Sequence, residues 1–165
     1  MASGSITRWL LASLDWMRRV VVGSSRTAEE DQAKHLEVGE VGEEVAYFYL
    51  RQLEYTVVAR NWRNTRRNGE LDIVAWDADG STLCFVEVKT RTRKTIVPAE
   101  LAVDQDKKRE LAGMARLYLQ QLPVGTRFRF DLVTVYMHEG REPEISHFKD
   151  AFGWKTRSFD SGSAF

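Results

Sequence analysis

Asp72, Glu87 and Lys89 carry charge inside two strand-like apolar runs, where a buried strand should carry none. The first run reads Gly69-Glu70-Leu71-Asp72-Ile73-Val74-Ala75-Trp76. The second reads Leu83-Cys84-Phe85-Val86-Glu87-Val88-Lys89-Thr90-Arg91. Taking a carboxylate out of water is strongly unfavourable unless something pairs with it. Such charges are therefore paired with one another or kept for chemistry. Side chains alternate faces along a strand, so Glu87 and Lys89 point one way while Val86 and Val88 point the other. Asp77-Ala78-Asp79-Gly80 is a turn signal between the runs, which predicts a hairpin. Pairing the runs would bring Asp72 beside Glu87 and Lys89. Hard oxygen ligands of this kind suit Mg²⁺ or Mn²⁺. Such an ion relieves the repulsion between carboxylates, activates water and stabilises a pentavalent phosphate. The lysine can orient the water or neutralise charge in the transition state. A lone Glu-x-Lys on a strand is ordinarily a solvent-facing charge pair; Asp72 on the neighbouring run strengthens the metal-site reading without by itself displacing that one.

The elements that must position these residues follow from the hydrophobic pattern. The chain has 165 residues, enough for one domain with a real core. Its formal charge is zero, so no global field draws it to a polyanion, and any such partner must be held by local patches. One cysteine, Cys84, precludes an intrachain disulfide and fits a reducing, cytoplasmic setting. No segment is long and apolar enough to span a membrane.

Residues 1–37 read as an N-terminal extension, an amphipathic helix and a polar linker from Val22 to Glu37 with scope for a helical end. Ile6, Trp9, Leu10, Leu14, Met17 and Val21 recur near helical spacing in that extension. Asp15 and the Arg18-Arg19 pair argue against a signal peptide. Three readings fit the helix: packing on the domain or a partner, poor order in isolation, and, least favoured, contact with a membrane surface. The domain itself is expected over 38–150, with a tail over 151–165 in which Phe152 and Trp154 could dock. A helix with an apolar face follows Gly39 and Gly42. Tyr55 to Ala59 reads as a first strand and Arg60 to Asn68 as a basic loop. The hairpin strands follow, Glu70 to Trp76 and Thr82 to Lys89, then a second basic loop and a helix from Asp104, its cap, to Leu122. Phe128 to Tyr136 reads as a strand, and Ile145 to Phe148 as a short edge strand. The long helix between the third and fourth strands permits a crossover. The fold class is α/β, with helices flanking a mixed sheet.

Several blocks fall into one pattern. Gly39-x-x-Gly42-Glu43-x-x-Ala46 opens the domain, Asn61-x-Arg63 leads to Gly69-Glu70-x-Asp72, and Phe85-Val86-Glu87-Val88-Lys89-Thr90-Arg91 follows. Lys107 with Arg109, and Arg129-Phe130-Asp131, come later. From Val38 to Tyr136 the chain resembles the uncharacterised bacterial YraN family, grouped with PD-(D/E)xK nucleases and similar to archaeal Holliday junction resolvases. The resemblance implies a restriction-endonuclease-like fold with an αβββαβ core. It implies that Asp72 and Glu87 are metal ligands, that Lys89 supports the attacking water, and that Glu43 approaches the metal directly or through water. It further implies that the Val88 carbonyl is a ligand. The proline that names the superfamily is absent, since Leu71 precedes Asp72. Junction-cleaving relatives act as dimers, so the resemblance also raises a homodimer.

Other residues have two readings each. Glu70 shares a strand face with Asp72 and is either an outer carboxylate or a partner of Arg129 or Arg63. Glu43, near a helix start, is also favourable simply through the helix dipole. Arg60, Arg63, Arg66 and Arg67, with Trp62 among them, form one acid-free cluster; Lys89, Arg91, Arg93 and Lys94 form another. These are solvated loops or phosphate-binding surfaces, the latter gaining affinity by counterion release, with Trp62 able to stack on an unpaired base. Lys107, Lys108 and Arg109 extend that surface or only face solvent. The histidines His35, His138 and His147 lack metal-ligand spacing, Cys84 reads as a core residue, and no P-loop is present.

These readings converge on a nucleic-acid-binding protein, a Mg²⁺- or Mn²⁺-dependent endonuclease that hydrolyses DNA phosphodiester bonds, with branched or structured DNA among its substrates. The competing reading is a non-catalytic nucleic-acid-binding or scaffolding protein that keeps the fold. A third, weaker reading is a membrane-associated adaptor acting through the N-terminal helix.

Overall fold

The computed structural model describes residues 28–92, 103–138 and 140–153. The amphipathic stretch before Ala28, the loop with Arg93 and Lys94, and the tail from Trp154 lie outside the described residues. Helix α1 spans Ala28–Gln52. Strands β1 (Thr56–Asn64), β2 (Arg67–Trp76) and β3 (Leu83–Arg91) follow. Helix α2 (Gln105–Leu119) leads to β4 (Phe128–Tyr136) and β5 (Glu144–Phe148). The five strands form one sheet in sequence order. Only β3 and β4 pair in parallel. Parallel neighbours need a crossover, and α2 supplies it.

Two expectations are corrected. Helix α1 begins at Ala28, inside the stretch read as a linker. Ala28, Glu29, Glu30, Gln32, Ala33 and Lys34 are good helix formers, so their polarity was no sign of a linker. The stretch read as a basic loop from Arg60 is instead the second half of β1 and the start of β2, joined by a tight turn at Thr65 and Arg66. β1 is an edge strand with one solvated side, and its polar composition imitates a loop.

Alternation on the central strands builds a core on each sheet face. Ile73, Ala75, Cys84, Val86, Val88, Val133 and Val135 pack with Val45, Ala46 and Leu50 of α1. Val74, Leu83, Phe85, Phe130 and Leu132 pack with Leu111, Met114 and Ala115 of α2. Phe152 docks in the second core, its ring stacked 5.0 Å from Phe130. Gly42 sets the approach of α1, because a Cβ there would overlap the Thr90 side chain at the end of β3. Asp104 caps α2, accepting from the Lys107 N–H at 2.8 Å.

The turn at Asp77 forms as expected, with Asp77 Oδ1 accepting from the N–H groups of Ser81 and Thr82. Arg129 donates to Asp131 at 2.9 Å, to Asp77 at 3.0 Å and to Tyr55 at 2.9 Å. Buried Asp131 also meets His147 Nε2 at 3.0 Å and accepts from the Asp150 N–H. Burial pushes the Asp131 carboxyl up, but these donors outweigh it and hold it below the usual carboxylate range. This network joins the α1–β1 connection, the β2–β3 turn, β4 and β5. His147 is thus a packing residue, as its spacing implied.

Candidate functional site

The antiparallel pairing of β2 with β3 ends at Ile73 opposite Val86. One residue further on, the Asp72 side chain takes over from the ladder: its Oδ2 accepts from the Val88 N–H at 2.8 Å. Asp72 and Glu87 are both buried. On β3, Lys89 Nζ donates to Glu87 Oε1 at 2.7 Å. From the first turn of α2, Lys107 Nζ stands 3.6 Å from Glu87 Oε2 and donates to Glu110 Oε1 at 3.0 Å. The hairpin therefore brings Asp72, Glu87 and Lys89 together, and α2 adds Lys107.

Electrostatics mark this spot as unusual. Glu87 Oε2 is buried and accepts no hydrogen bond from the described residues. Such an atom ordinarily has a donor or a cation beside it. Burial, reinforced by the Glu87 charge, pushes the Asp72 carboxyl up to about 7; the Val88 N–H and Lys107 oppose the rise. Burial pulls the Lys107 ammonium down, but Glu87, Glu110 and Asp72 outweigh it and hold it above its ordinary value. Two lysines thus offset part of a charge that the site cannot fully neutralise.

Glu43 reaches the same region from α1. Asn61 Nδ2 donates to Glu43 Oε2 at 2.8 Å. Asn61 adopts a left-handed backbone at φ 47°, which asparagine tolerates better than most residues. Burial, with the neighbouring charges of Glu70 and Glu40, pushes the Glu43 carboxyl up against the pull of Asn61 and Arg60. Glu43 also adds to the rise at Asp72, so it lies within electrostatic reach. Even so, among the described residues no three His, Cys, Asp or Glu side chains are placed to hold a metal ion together. Asp72 and Glu87 could hold one as a pair. Mg²⁺ usually binds through one or two carboxylates and keeps several waters. Two buried carboxylates, one with an oxygen that accepts no hydrogen bond from the described residues, are the hard oxygen donors that such an ion takes.

The basic residues divide. Arg60 pairs with Glu44 at 2.5 Å and lies 4.7 Å from the Tyr47 ring centroid. Arg63 pairs with Glu70 at 2.6 Å, the structural option for that glutamate. Both carboxylates are distant from the acid-free cluster in sequence or fall just beyond it. Trp62 is half-buried, its ring 5.2 Å from Tyr118 beside the α2-side core, so it packs rather than projects toward a base. Arg66 and Arg67 are exposed at the hairpin tip against α2, and Arg91 ends β3. Cys84 is fully buried, and burial pushes its thiol up to about 12, which removes it as a nucleophile.

Sequence reasoning undervalued Lys107 and Asn61. The signal for Lys107 was available: a lysine in the first turn of a helix opposes the macrodipole, so it needs a carboxylate elsewhere. Asn61 gave no local signal, because its role depends on a backbone twist and a partner on another element.

A family model described as "Uncharacterised protein family UPF0102" matches residues 42–135. A UPF0102 protein of Koribacter versatilis is 50% identical over 124 residues, covering 75% of this chain and 85% of that protein. One from Solibacter usitatus is 43% identical over 115 residues, 69% of this chain and 84% of its own length. One from Geotalea uraniireducens is 39% identical over 124 residues, 74% and 94% respectively. Glu43, Asn61, Asp72, Glu87, Lys89 and Lys107 all fall inside the matched span.

Proposed function

We propose that this chain, which belongs to the UPF0102 family, is a metal-dependent nuclease with a restriction-endonuclease-like domain. The observation that carries the reading is the buried Glu87 carboxylate, whose Oε2 accepts no hydrogen bond among the described residues and has only the Lys107 ammonium 3.6 Å away, beside an Asp72 that burial and Glu87 push up to about 7. A protein gains little stability from two buried carboxylates that repel each other. Their use is to hold a cation and do chemistry with it.

Asp72, Glu87 and the Val88 carbonyl would hold a Mg²⁺ or Mn²⁺ ion, with Glu43 reaching it through water. When bound, the ion would polarise a phosphodiester and favour ionisation of the attacking water. The remaining work belongs to the chain. Lys89, anchored on Glu87, presents its ammonium at the mouth of the site, where it orients the nucleophile and offsets charge gathering on the phosphate oxygens. Lys107 stands 3.6 Å from the other oxygen of Glu87 and faces its charge. Asn61 fixes the direction of Glu43. The Val88 N–H holds Asp72 by one oxygen and leaves the other for a ligand.

A different observation favours the second reading, a nucleic-acid-binding or scaffolding protein that does not cut. Among the described residues no three ligating side chains converge, and Lys89 and Lys107 already flank Glu87. The test is cleavage of branched, flapped and single-stranded DNA with Mg²⁺ or Mn²⁺, by the wild-type protein and Lys89→Ala. Cutting by the wild type alone supports the nuclease. Binding by both with cutting by neither supports the second reading.

A further inference from the structure

The tip of the β1–β2 hairpin lies against α2, and the two elements enclose a cavity of about 380 Å³. Arg66 and Arg67 reach it from the hairpin; Arg109 and Arg116 reach it from the helix; Gly113 and Leu117 form part of its wall. Among the described residues no acidic side chain lines it, although Arg109 carries Asp106 as an ion-pair partner. Guanidinium groups do not lose their proton in proteins, so four around one space make a strongly positive pocket. Their planar forks match phosphate oxygens two at a time.

A second observation shows that the pocket is shaped. Gly113 sits inside α2, where glycine is unfavourable relative to alanine. A Cβ at that position would overlap the Arg67 guanidinium. The missing side chain is the seat on which Arg67 lies, and Arg67 also donates to the Arg109 carbonyl at 3.4 Å. Arg109 shares an ion pair with Asp106, and both side chains are largely exposed, a pair of little net strength. Its guanidinium can turn to a better-placed phosphate.

We infer that this cavity is a phosphate-binding site, and that the phosphate belongs to a nucleic-acid strand whose reacting bond lies at Asp72 and Glu87. The strand assignment rests on the nuclease reading; the phosphate chemistry does not. Lys107, beside Glu87, and Gly113, in the pocket wall, belong to one helix and stand roughly 9 Å apart along its axis. One strand can therefore reach both places, and the pocket grips it to one side of the cut.

The test measures binding of a labelled single-stranded oligonucleotide and of inorganic phosphate, in EDTA, across a salt series. Wild type is compared with Arg66→Ala, Arg116→Ala and the double variant, with folding checked by thermal melting. Arg66 is exposed, so Arg66→Ala keeps the test valid if Arg116→Ala misfolds. Each substitution should weaken oligonucleotide binding by about tenfold or more. Loss of one phosphate contact should lower the salt slope by about one. Phosphate binding without oligonucleotide binding would keep the anion site and overturn its assignment to a strand. Unchanged affinity and slope in the variants, or no binding of either probe, would overturn the site itself. Metal and catalysis play no part in this measurement. A protein that binds a strand through the pocket but never cuts would sink the nuclease reading and the reacting bond at Asp72 and Glu87 with it, and would leave the strand-binding pocket standing.

Discussion

Asp72→Asn should stabilise the metal-free protein. The native carboxyl sits at about 7 instead of the ordinary 3.8. Each unit corresponds to about 1.4 kcal/mol, which bounds the penalty of ionising Asp72 in the folded state near 4 kcal/mol. Relaxation and the shared titration with Glu87 reduce that bound, and about 2 kcal/mol is the working figure. Between the unfolded and the native value the folded state binds the extra proton. Wild-type stability from this group is therefore full in acid and is lost as pH rises to about 7. Asparagine has no charge to bury, and its side-chain oxygen can still accept from the Val88 N–H. In EDTA at about pH 8, urea unfolding should thus show the variant more stable by about 2 kcal/mol, and the gain should fade toward zero near pH 4. Saturating Mg²⁺ should reverse the order, since a ligand at a hundred times its Kd adds about 2.7 kcal/mol to the protein that binds it. A variant less stable than wild type by about 1 kcal/mol or more in EDTA at pH 8 would refute the reasoning. It would mean that Asp72 is a satisfied structural carboxylate.

Lys89→Ala should keep oligonucleotide binding near wild type and lower thermal stability, because buried Glu87 loses its 2.7 Å donor, while single-turnover cleavage by the folded protein falls by about a thousandfold. Asp131→Asn should lose about 2–4 kcal/mol in denaturant melts, because Arg129, His147 and the Asp150 N–H all address that carboxylate. Its native carboxyl lies below the ordinary value, so its stabilisation is present above the unfolded pKa and lost as pH falls through the native one. The gap between variant and wild type should close in acid. Gly42→Ala should cost about 1–3 kcal/mol through overlap with Thr90, and Thr90→Ala in the same chain should recover much of it.

What was legible depended on how local the cause was. Strand β4 was read at its observed bounds because Phe128, Phe130 and Leu132 alternate with Arg129 and Asp131. Helix α2 was read from its Asp104 cap and its apolar stripe. The second half of β1 was not, since an edge strand facing solvent has the composition of a loop. The start of α1 was half legible: the stretch from Val22 to Glu37 left scope for a helical end, but its polar helix formers resemble a linker and gave no start at Ala28. The Asp72–Glu87–Lys89 group was visible from charge inside apolar runs plus a turn. Lys107 left a faint trace against the helix dipole. Of the arginine pocket, Arg66, Arg67 and Arg109 were legible as basic clusters, but Arg116 and the seat of Arg67 on Gly113 were not, because they meet only when the hairpin folds onto α2.

The sharpest measurement is an anomalous difference map from crystals soaked in Mn²⁺. The account predicts a peak about 2.0–2.3 Å from carboxylate oxygens of both Asp72 and Glu87, with Lys89 Nζ beside it and no peak in Asp72→Asn. A fully loaded crystal with density only elsewhere, and with the Glu87 oxygen still alone, would contradict it.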